Sequence, residues 1–466
     1  MVRANTPVVL RGAAAALWYA RFGYDPLKAI ARSYTRHGPF LKLPYPRLSR
    51  RSTPRAFVVG IGAEFNREAL GNPEVWRPVN VGPPGPKNSA VRRLSRGILG
   101  MAGPKHEHYR RLLVPPLQGN AAKVPDMIRL AEEEVDSWPI NQSIDLRAYG
   151  RRLIRTFAIG LLFGDDRAQG YPIADMISQG TNLNFSWRIF ACPFNVPGTP
   201  YHRMMREAQD LENRIIKWAD SKRGEMDRRD LLSVVVNSPD ENGCPISHES
   251  VVHHTPTLFG AAFETCQNSL VWTLLLLDQH PQIAHDLYEE LGGSHGGLPS
   301  HQQLMKLPLL NAIVEESMRI LPPVPQQIRV AQSDTTLNDY PLPTRTKLLL
   351  SSFLTNRDAE LYPEADRFKP ERWNSIAPSS YEYSVFSSGP RACPGYAFAL
   401  AMLKVGVATI MTRYRIGLRA GTQINYKVGV ALTPRRSIPA ILHRQDGAFA
   451  AASIGGTIRD IIRFPN

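Results

Sequence analysis

Cysteine is scarce in this chain: four in 466 residues, at positions 192, 244, 266 and 393. No two of them stand close together as C-x-x-C, so there is no basis for a structural zinc site. Four thiols in so long a chain are too few for a disulfide framework, and a reducing, cytoplasmic setting fits best. Acidic residues are also in the minority, 41 against 56 Lys and Arg, which gives a formal charge of +15. The basic excess is spread along the chain, without zinc-finger spacing or a basic zipper. Nucleic acid is therefore a poor match, and an acidic protein partner suits such a surface better. Long hydrophobic runs are missing as well. Residues 13–20 form the longest early apolar run, far short of the ~20 residues needed to span a bilayer. The later run 273–277 is cut by Asp278. Residues 1–24 hold three arginines and no acid, as a transit peptide would, but Pro7 and the short length favour an arm lying on the protein.

Hydrophobic residues at 43% and charged residues at 21% are ordinary globular composition. No linker, repeat or low-complexity stretch divides the chain. One domain over 1–466 is expected, a monomer, with 1–24 as an arm and 443–466 as an extension of unknown role. Residues 25–37 read as helix, and 38–61 as a strand pair, FLKLPY and RAFVVGI. The Pro- and Gly-rich stretch 72–105 reads as a long loop of the kind that covers binding sites. Helices follow at 106–117, 121–138, 145–163, 171–190, 200–224, 247–279, 281–291, 308–320 and 394–413, with Ser247 capping the longest. Pro256 lies inside that helix and cannot donate to the carbonyl of Val252, which predicts a bend or wide turn there. Turns and short strands fill 322–390 and 415–442. The class is mainly α with a small β part.

The sharpest local signal is Phe386-Ser-Ser-Gly389-Pro-Arg391-Ala-Cys393-Pro-Gly395, followed by an apolar helix. A helix N-terminus favours a thiolate, and glycines let backbone approach a flat ring system. Arg391 could pair with a carboxylate of such a ring. Taken alone, the stretch reads equally well as a loop with a buried cysteine before a core helix.

Further motifs carry a resemblance. The stretch is similar to the cytochrome P-450 signature F-x-x-G-x-R-x-C-x-G at every specified position. Glu316-Ser-Met-Arg319 resembles the family's E-x-x-R helix and stands upstream of Phe368-Lys-Pro-Glu-Arg372-Trp373. The resemblance implies a buried ion-pair network of Glu316, Arg319 and Arg372. Phe259-Gly-Ala-Ala-Phe-Glu264-Thr265-Cys266 resembles the oxygen-binding helix, with Ala261 and Ala262 facing the cofactor and Glu264 and Thr265 as the acid and alcohol of proton delivery. Ala262 replaces the usual glycine there, and Cys266 the second threonine. The bland alternative is a threonine bonded back into its own helix, with Glu264 facing solvent. His106 and Arg110 match the pair that holds a haem propionate, and Arg329 matches another propionate arginine.

The resemblance implies the mixed, mainly helical P-450 fold and haem b, with Cys393 as the iron ligand and Phe386, Arg391 and Gly395 around it. The implied activity is monooxygenation of an apolar terpenoid, steroid or fatty-acyl molecule in secondary metabolism. Electrons would come from a small acidic ferredoxin or flavodoxin. The rivals are a haem enzyme of the same family without oxygen reduction (an isomerase, a dehydratase or a peroxide-driven enzyme) and a non-catalytic haem sensor or carrier. Pocket segments are expected at 76–99, 180–202, Gln326-Gln327 and 429–433. His108 and Arg111 read as exposed basic residues, His253 and His254 as solvent or packing residues, and Arg50-Arg51 as a solvated turn. Cys192 and Cys244 have no visible role.

Overall fold

The longest helix expected from the sequence becomes the axis of the molecule. In the computed structural model, which describes residues 6–45, 56–79, 85–118, 123–184, 189, 193–225, 230–293 and 297–465, a helix runs unbroken from His248 to Asp278. The Ser247 hydroxyl caps it, accepting the N–H of Ser250 at 3.2 Å. From Cys266 to Asp278 every residue is buried. The chain stays α-helical across Pro256, without the wide turn expected from the sequence. The hydroxyls of Thr255 and Thr257 donate to the carbonyls of Val251 and His253, on either side of the carbonyl that the proline leaves free.

Helices Leu146–Phe163 and Tyr396–Arg413 lie against this axis and share its apolar core. Tyr396–Arg413 is long and apolar enough to cross a membrane, yet 61% of it is buried inside the molecule. The other expected helices form within a few residues of their expected bounds, at Gly103–Gln118, Val124–Val135, Arg167–Asn184, Pro200–Lys222, Pro281–Glu290 and Pro308–Ile320. Helix makes up 54% and strand 13% of the structure, so the class is mainly α.

The β part is chiefly one six-stranded mixed sheet, in the order Val8–Val9, Phe40–Leu43, Phe57–Gly60, Lys347–Leu350, Gln327–Ala331, Trp76–Pro78. The expected strand pair is there, antiparallel, with Leu43 opposite Phe57. The stretch read as a long loop is more ordered than expected. It contributes an edge strand at Trp76–Pro78 and a short helix, Ala90–Leu94, whose cap is the Ser89 hydroxyl. Residues 12–24 are not a plain arm but a helix, seated by Trp18, whose indole N–H donates to Ser33 at 2.7 Å. The C-terminal extension is built in too. Ile454–Gly455 pairs with Thr422–Gln423, and Ile458, Ile462 and Phe464 are buried in the main core. Arg50-Arg51, Cys192 and parts of two expected pocket segments (80–84, 185–188 and 190–192) lie outside the described residues.

Candidate functional site

One loop, one strand and two helices bring the chemistry-bearing residues together. The cysteine loop turns back on itself: the Cys393 N–H donates to the Phe386 carbonyl at 2.8 Å. Gly389 takes φ 66°, and a Cβ there would collide with the Leu70 carbonyl, so this position requires glycine. The Phe386 ring meets Tyr396 edge-on at 4.8 Å. Gly395 stands at the start of helix Tyr396–Arg413, and its N–H points at the sulfur. Cys393 itself is open to solvent-sized space although protein surrounds it on most sides. That crowding raises its pKa, while the Gly395 N–H and the Arg110 charge pull it back only partly. A metal cation at the sulfur would reverse that balance.

Cations gather around this cysteine. Arg110 donates to the Ala392 carbonyl at 2.7 Å, next to the cysteine, and Arg391 donates to the Met101 carbonyl. His106 is buried one turn before Arg110 on helix Gly103–Gln118. Burial, Arg391 and Arg110 together push its pKa down to about 4, so it is a neutral donor at pH 7. Arg329, 8% exposed on its strand, bonds to the Gln327 side chain at 2.9 Å. Burial and the Arg391 charge lower its pKa to about 10. Among the described residues none of the four has an ion-pair partner. Glu74, whose charge reaches Arg391, pairs instead with Arg77 at 3.6 Å. Arg329 is buried and Arg110 and Arg391 are half-buried, and cations so placed without counter-charges are costly. Two carboxylates on a flat ligand beside Cys393 would compensate them, so the residues present fit a haem.

The long helix contributes the opposite face. Ala261 is exposed and Ala262 and Thr265 are half-buried, an accessible stripe on a helix whose next thirteen residues are all buried. Cys266 turns inward, within electrostatic reach of Cys393, and burial pushes its pKa up to about 12. The Thr265 hydroxyl donates to the Ala261 carbonyl at 2.7 Å. Glu264 is held on the flank by Gln267, Nε2 to Oε2 at 2.6 Å, and does not touch Thr265. The structure thus places both residues near the stripe but does not join them.

Beneath the cysteine loop, Glu316 accepts five hydrogen bonds. Arg319 grips it through Nε and Nη2 at 2.8 Å each, Arg372 Nε and the Lys369 N–H lie at 3.0 Å, and Trp373 Nε1 at 3.1 Å. Glu316 and Arg319 are fully buried. Sequence reasoning named the two arginines and missed Trp373, although a buried indole N–H needs an acceptor. A cavity of about 190 Å³ lies further along the long helix, between Val91, Leu94 and Ser95 on one side and Met204 and Leu211 on the other, with Pro256 and Thr257 as its floor. Residues from the expected segments 76–99 and 180–202 line it; the Gln326-Gln327 turn and residues 429–433 do not. His253 and His254 are both buried, His254 against the Tyr109 ring at 4.3 Å, so they are packing residues and not solvent-facing ones. Arg111 and Cys244 are exposed, and His108 is half-buried with Nε2 3.1 Å from the Pro239 carbonyl.

Comparison with known proteins agrees with this geometry. A family model described as cytochrome P-450 matches residues 42–438. Pentalenene oxygenase of Streptomyces avermitilis is 27% identical over 65% of this chain and 67% of its own length. Ent-kaurenoic acid oxidase 2 of Arabidopsis thaliana is 23% identical over 71% of this chain and 70% of its own. Among solved structures, a retinoic acid-bound cyanobacterial P-450 superposes with a TM-score of 0.73 at 21% identity, covering 89% of this chain and 93% of that one. A family match over most of the chain, on the fold just described, establishes that the chain belongs to the cytochrome P-450 family of haem-iron monooxygenases.

Proposed function

We propose that this protein is a single-domain, cytoplasmic, haem b-dependent enzyme that inserts one atom of dioxygen into an apolar terpenoid-, steroid- or fatty-acyl-type molecule. The observation that carries the reading is the convergence of Arg110, Arg329, Arg391 and His106 around Cys393, with no ion-pair partner for any of them among the described residues. In this reading Cys393 is the iron ligand. The three arginines and His106 hold the two ring carboxylates as charge-assisted hydrogen bonds. Ala261, Ala262, Phe386 and Gly395 supply small or flat surface against the ring. A thiolate-ligated haem iron supplies an electron-rich centre that favours O–O cleavage. Thr265 holds water at its hydroxyl, and Glu264 recharges that water with protons. Electrons come from a separate acidic ferredoxin- or flavodoxin-type protein drawn to the basic surface. The substrate class is supported by relatives named for pentalenene, ent-kaurenoic acid and β-amyrin.

A second reading, a family member that does not reduce oxygen, draws on one observation. Thr265 spends its hydrogen bond on Ala261, and Glu264 is held by Gln267, so the two are not joined as a relay. The test is the ratio of product to NAD(P)H consumed, with peroxide measured in parallel and labelled dioxygen as oxidant. The monooxygenase reading predicts one labelled oxygen in the product. It also predicts that Thr265→Ala still takes up electrons but releases peroxide in place of product, while Cys266→Thr changes little. Unlabelled product would favour the second reading, and full coupling in Thr265→Ala would show that protons arrive by a path other than Thr265.

A further inference from the structure

The cavity along the long helix has three walls, which are residues 91–95, helix Arg167–Asn184 and helix Pro200–Lys222. Four polar side chains face it, and they share one property. Three are hydroxyls, and each spends its proton on its own segment. Ser95 Oγ donates to the Arg92 carbonyl at 2.9 Å, Thr181 Oγ1 to the Ile177 carbonyl at 2.9 Å, and Thr257 Oγ1 to the His253 carbonyl at 3.2 Å. A hydroxyl has one proton and two lone pairs, so these three have only lone pairs left to offer. The fourth is Glu207, whose carboxylate is an acceptor at both oxygens. Oε1 takes the Arg203 Nε at 2.6 Å, and Oε2 has no hydrogen-bond partner among the described residues. Pro256, in the floor, has no N–H to give. Among the described residues, then, no side chain that lines the cavity has a donor to spare.

Such a lining sorts ligands by the sign of their hydrogen bonds. A carboxylate would meet only acceptors and would give up its water without replacement, which is costly. An ether oxygen would find nothing to accept from. A hydroxyl can donate to Glu207 Oε2 or to a threonine lone pair, and a bond to a charged acceptor is the stronger kind. An ammonium gains less, because Arg203 already matches the charge of Glu207. Volume adds a second limit. About 190 Å³ is below the ~300–1,000 Å³ of pockets that enclose drug-sized ligands, so one end of a terpenoid- or steroid-sized molecule fits here and not the whole. The floor residue Thr257 lies one turn, about 6 Å, before Ala261, where the accessible stripe of the long helix begins.

We propose that the substrate carries a hydroxyl at the end remote from the oxidised carbon, and that Glu207, with the lone pairs of Ser95, Thr181 and Thr257, selects that hydroxyl. The inference rests on the oxygen-insertion reading and narrows its substrate class to an alcohol, as against the free acid or an ether of the same skeleton. The hydroxyl end sits in the cavity, and the apolar remainder runs along the long helix to the stripe Ala261–Thr265.

The experiment is equilibrium dialysis of the haem-loaded protein against radiolabelled probes that differ only in their end group. These are geraniol, geranyl methyl ether and geranic acid, and the farnesyl series of the same three. Dialysis reads binding without using the iron. Each alcohol should bind about tenfold more tightly than its ether, the factor expected for one hydrogen bond to a charged group, and the acid should bind most weakly. A lining selective only for apolar surface would reverse the first comparison, because the ether is the more hydrophobic. Glu207→Gln removes the charge and supplies an amide donor, so it should narrow the advantage of the alcohol and raise binding of the acid severalfold. Three results would overturn the proposal: no preference for the alcohol over the ether at either chain length (including no binding of either), an acid that binds most tightly, or a folded Glu207→Gln protein with the wild-type ranking. Failure of the haem reading would look different: the reduced wild-type protein would show no carbon monoxide spectrum, whatever dialysis reads.

Discussion

At the scale of single residues, Glu316 shows how this protein makes a buried charge tolerable. Burial raises the pKa of its carboxyl, but the hydrogen bonds and charges of Arg319 and Arg372 outweigh burial, and the pKa ends below its ordinary 4.5. A depressed carboxylate stabilises the fold above the ordinary range, and that contribution is lost as pH falls through the lowered value. Removing one partner strands the others. Glu316→Ala or Arg319→Ala should cost ~3–5 kcal/mol and yield haem-poor or insoluble protein, read by haem content and thermal unfolding. A soluble, haem-loaded Arg319→Ala protein would contradict the network's structural role. Glu316, Arg319 and Arg372 were legible because their spacing fits a known motif. Trp373 was not, although it sits inside the quoted segment, because nothing in a sequence says which acceptor an indole will find. The flank position of Glu264 was equally hidden, since Gln267, its partner, is an ordinary core-helix residue in the sequence.

At the scale of elements, strongly apolar helices with Pro or Gly punctuation were legible to within a few residues, as one-faced Pro308–Ile320 and largely buried Tyr396–Arg413 show. Elements that owe their form to tertiary contact were not. Helix Gly12–Tyr24 buries only Ala15 and Trp18 and is seated by the Trp18 indole bond to Ser33 and by the Trp18 ring near Phe57, 5.9 Å apart. The short helix Leu231–Val236 is held by Leu231, Leu232, Val235 and Val236, all buried in the main core. The tail after residue 443 lacks a clear period, yet it closes the core. One buried acid joins three of these elements: Asp278, at the end of the long helix, accepts the Leu418 N–H at 3.0 Å and the Gln279 amide at 2.8 Å, and Gln279 also holds the Ala452 carbonyl. Burial raises the Asp278 pKa from 3.8 to about 6, against the pull of its hydrogen bonds. A raised acid stabilises the fold while protonated, and that contribution is lost as pH rises through the folded-state value. Thermal stability of the wild type should therefore fall between about pH 5 and pH 7 by an amount that Asp278→Asn abolishes. Identical pH profiles for the two proteins would show that Asp278 is solvated.

At the scale of the whole molecule, the family and the P-450 fold were legible because four motifs fall in order along the chain. The cavity was legible in part: the expected segments 76–99 and 180–202 supply some of its wall, whereas Met204, Leu211, Pro256 and Thr257 join it only because the fold brings distant helices together. The charge of +15 belongs to this scale as well. Electron transfer from an acidic ferredoxin should slow as salt rises from ~10 to ~150 mM, while the screening length shrinks from ~30 to ~8 Å. A rate indifferent to salt would count against electrostatic docking. The proposed activity depends on one bond, between the Cys393 sulfur and a haem iron. The most direct test is the absorption spectrum of the reduced, carbon monoxide-bound protein, recorded for the wild type and for Cys393→Ser and Cys393→His. The account predicts the red-shifted Soret band of a thiolate-ligated haem in the wild type, lost in both variants even where some haem remains bound. A thiolate-type band that survives in Cys393→Ser would contradict it.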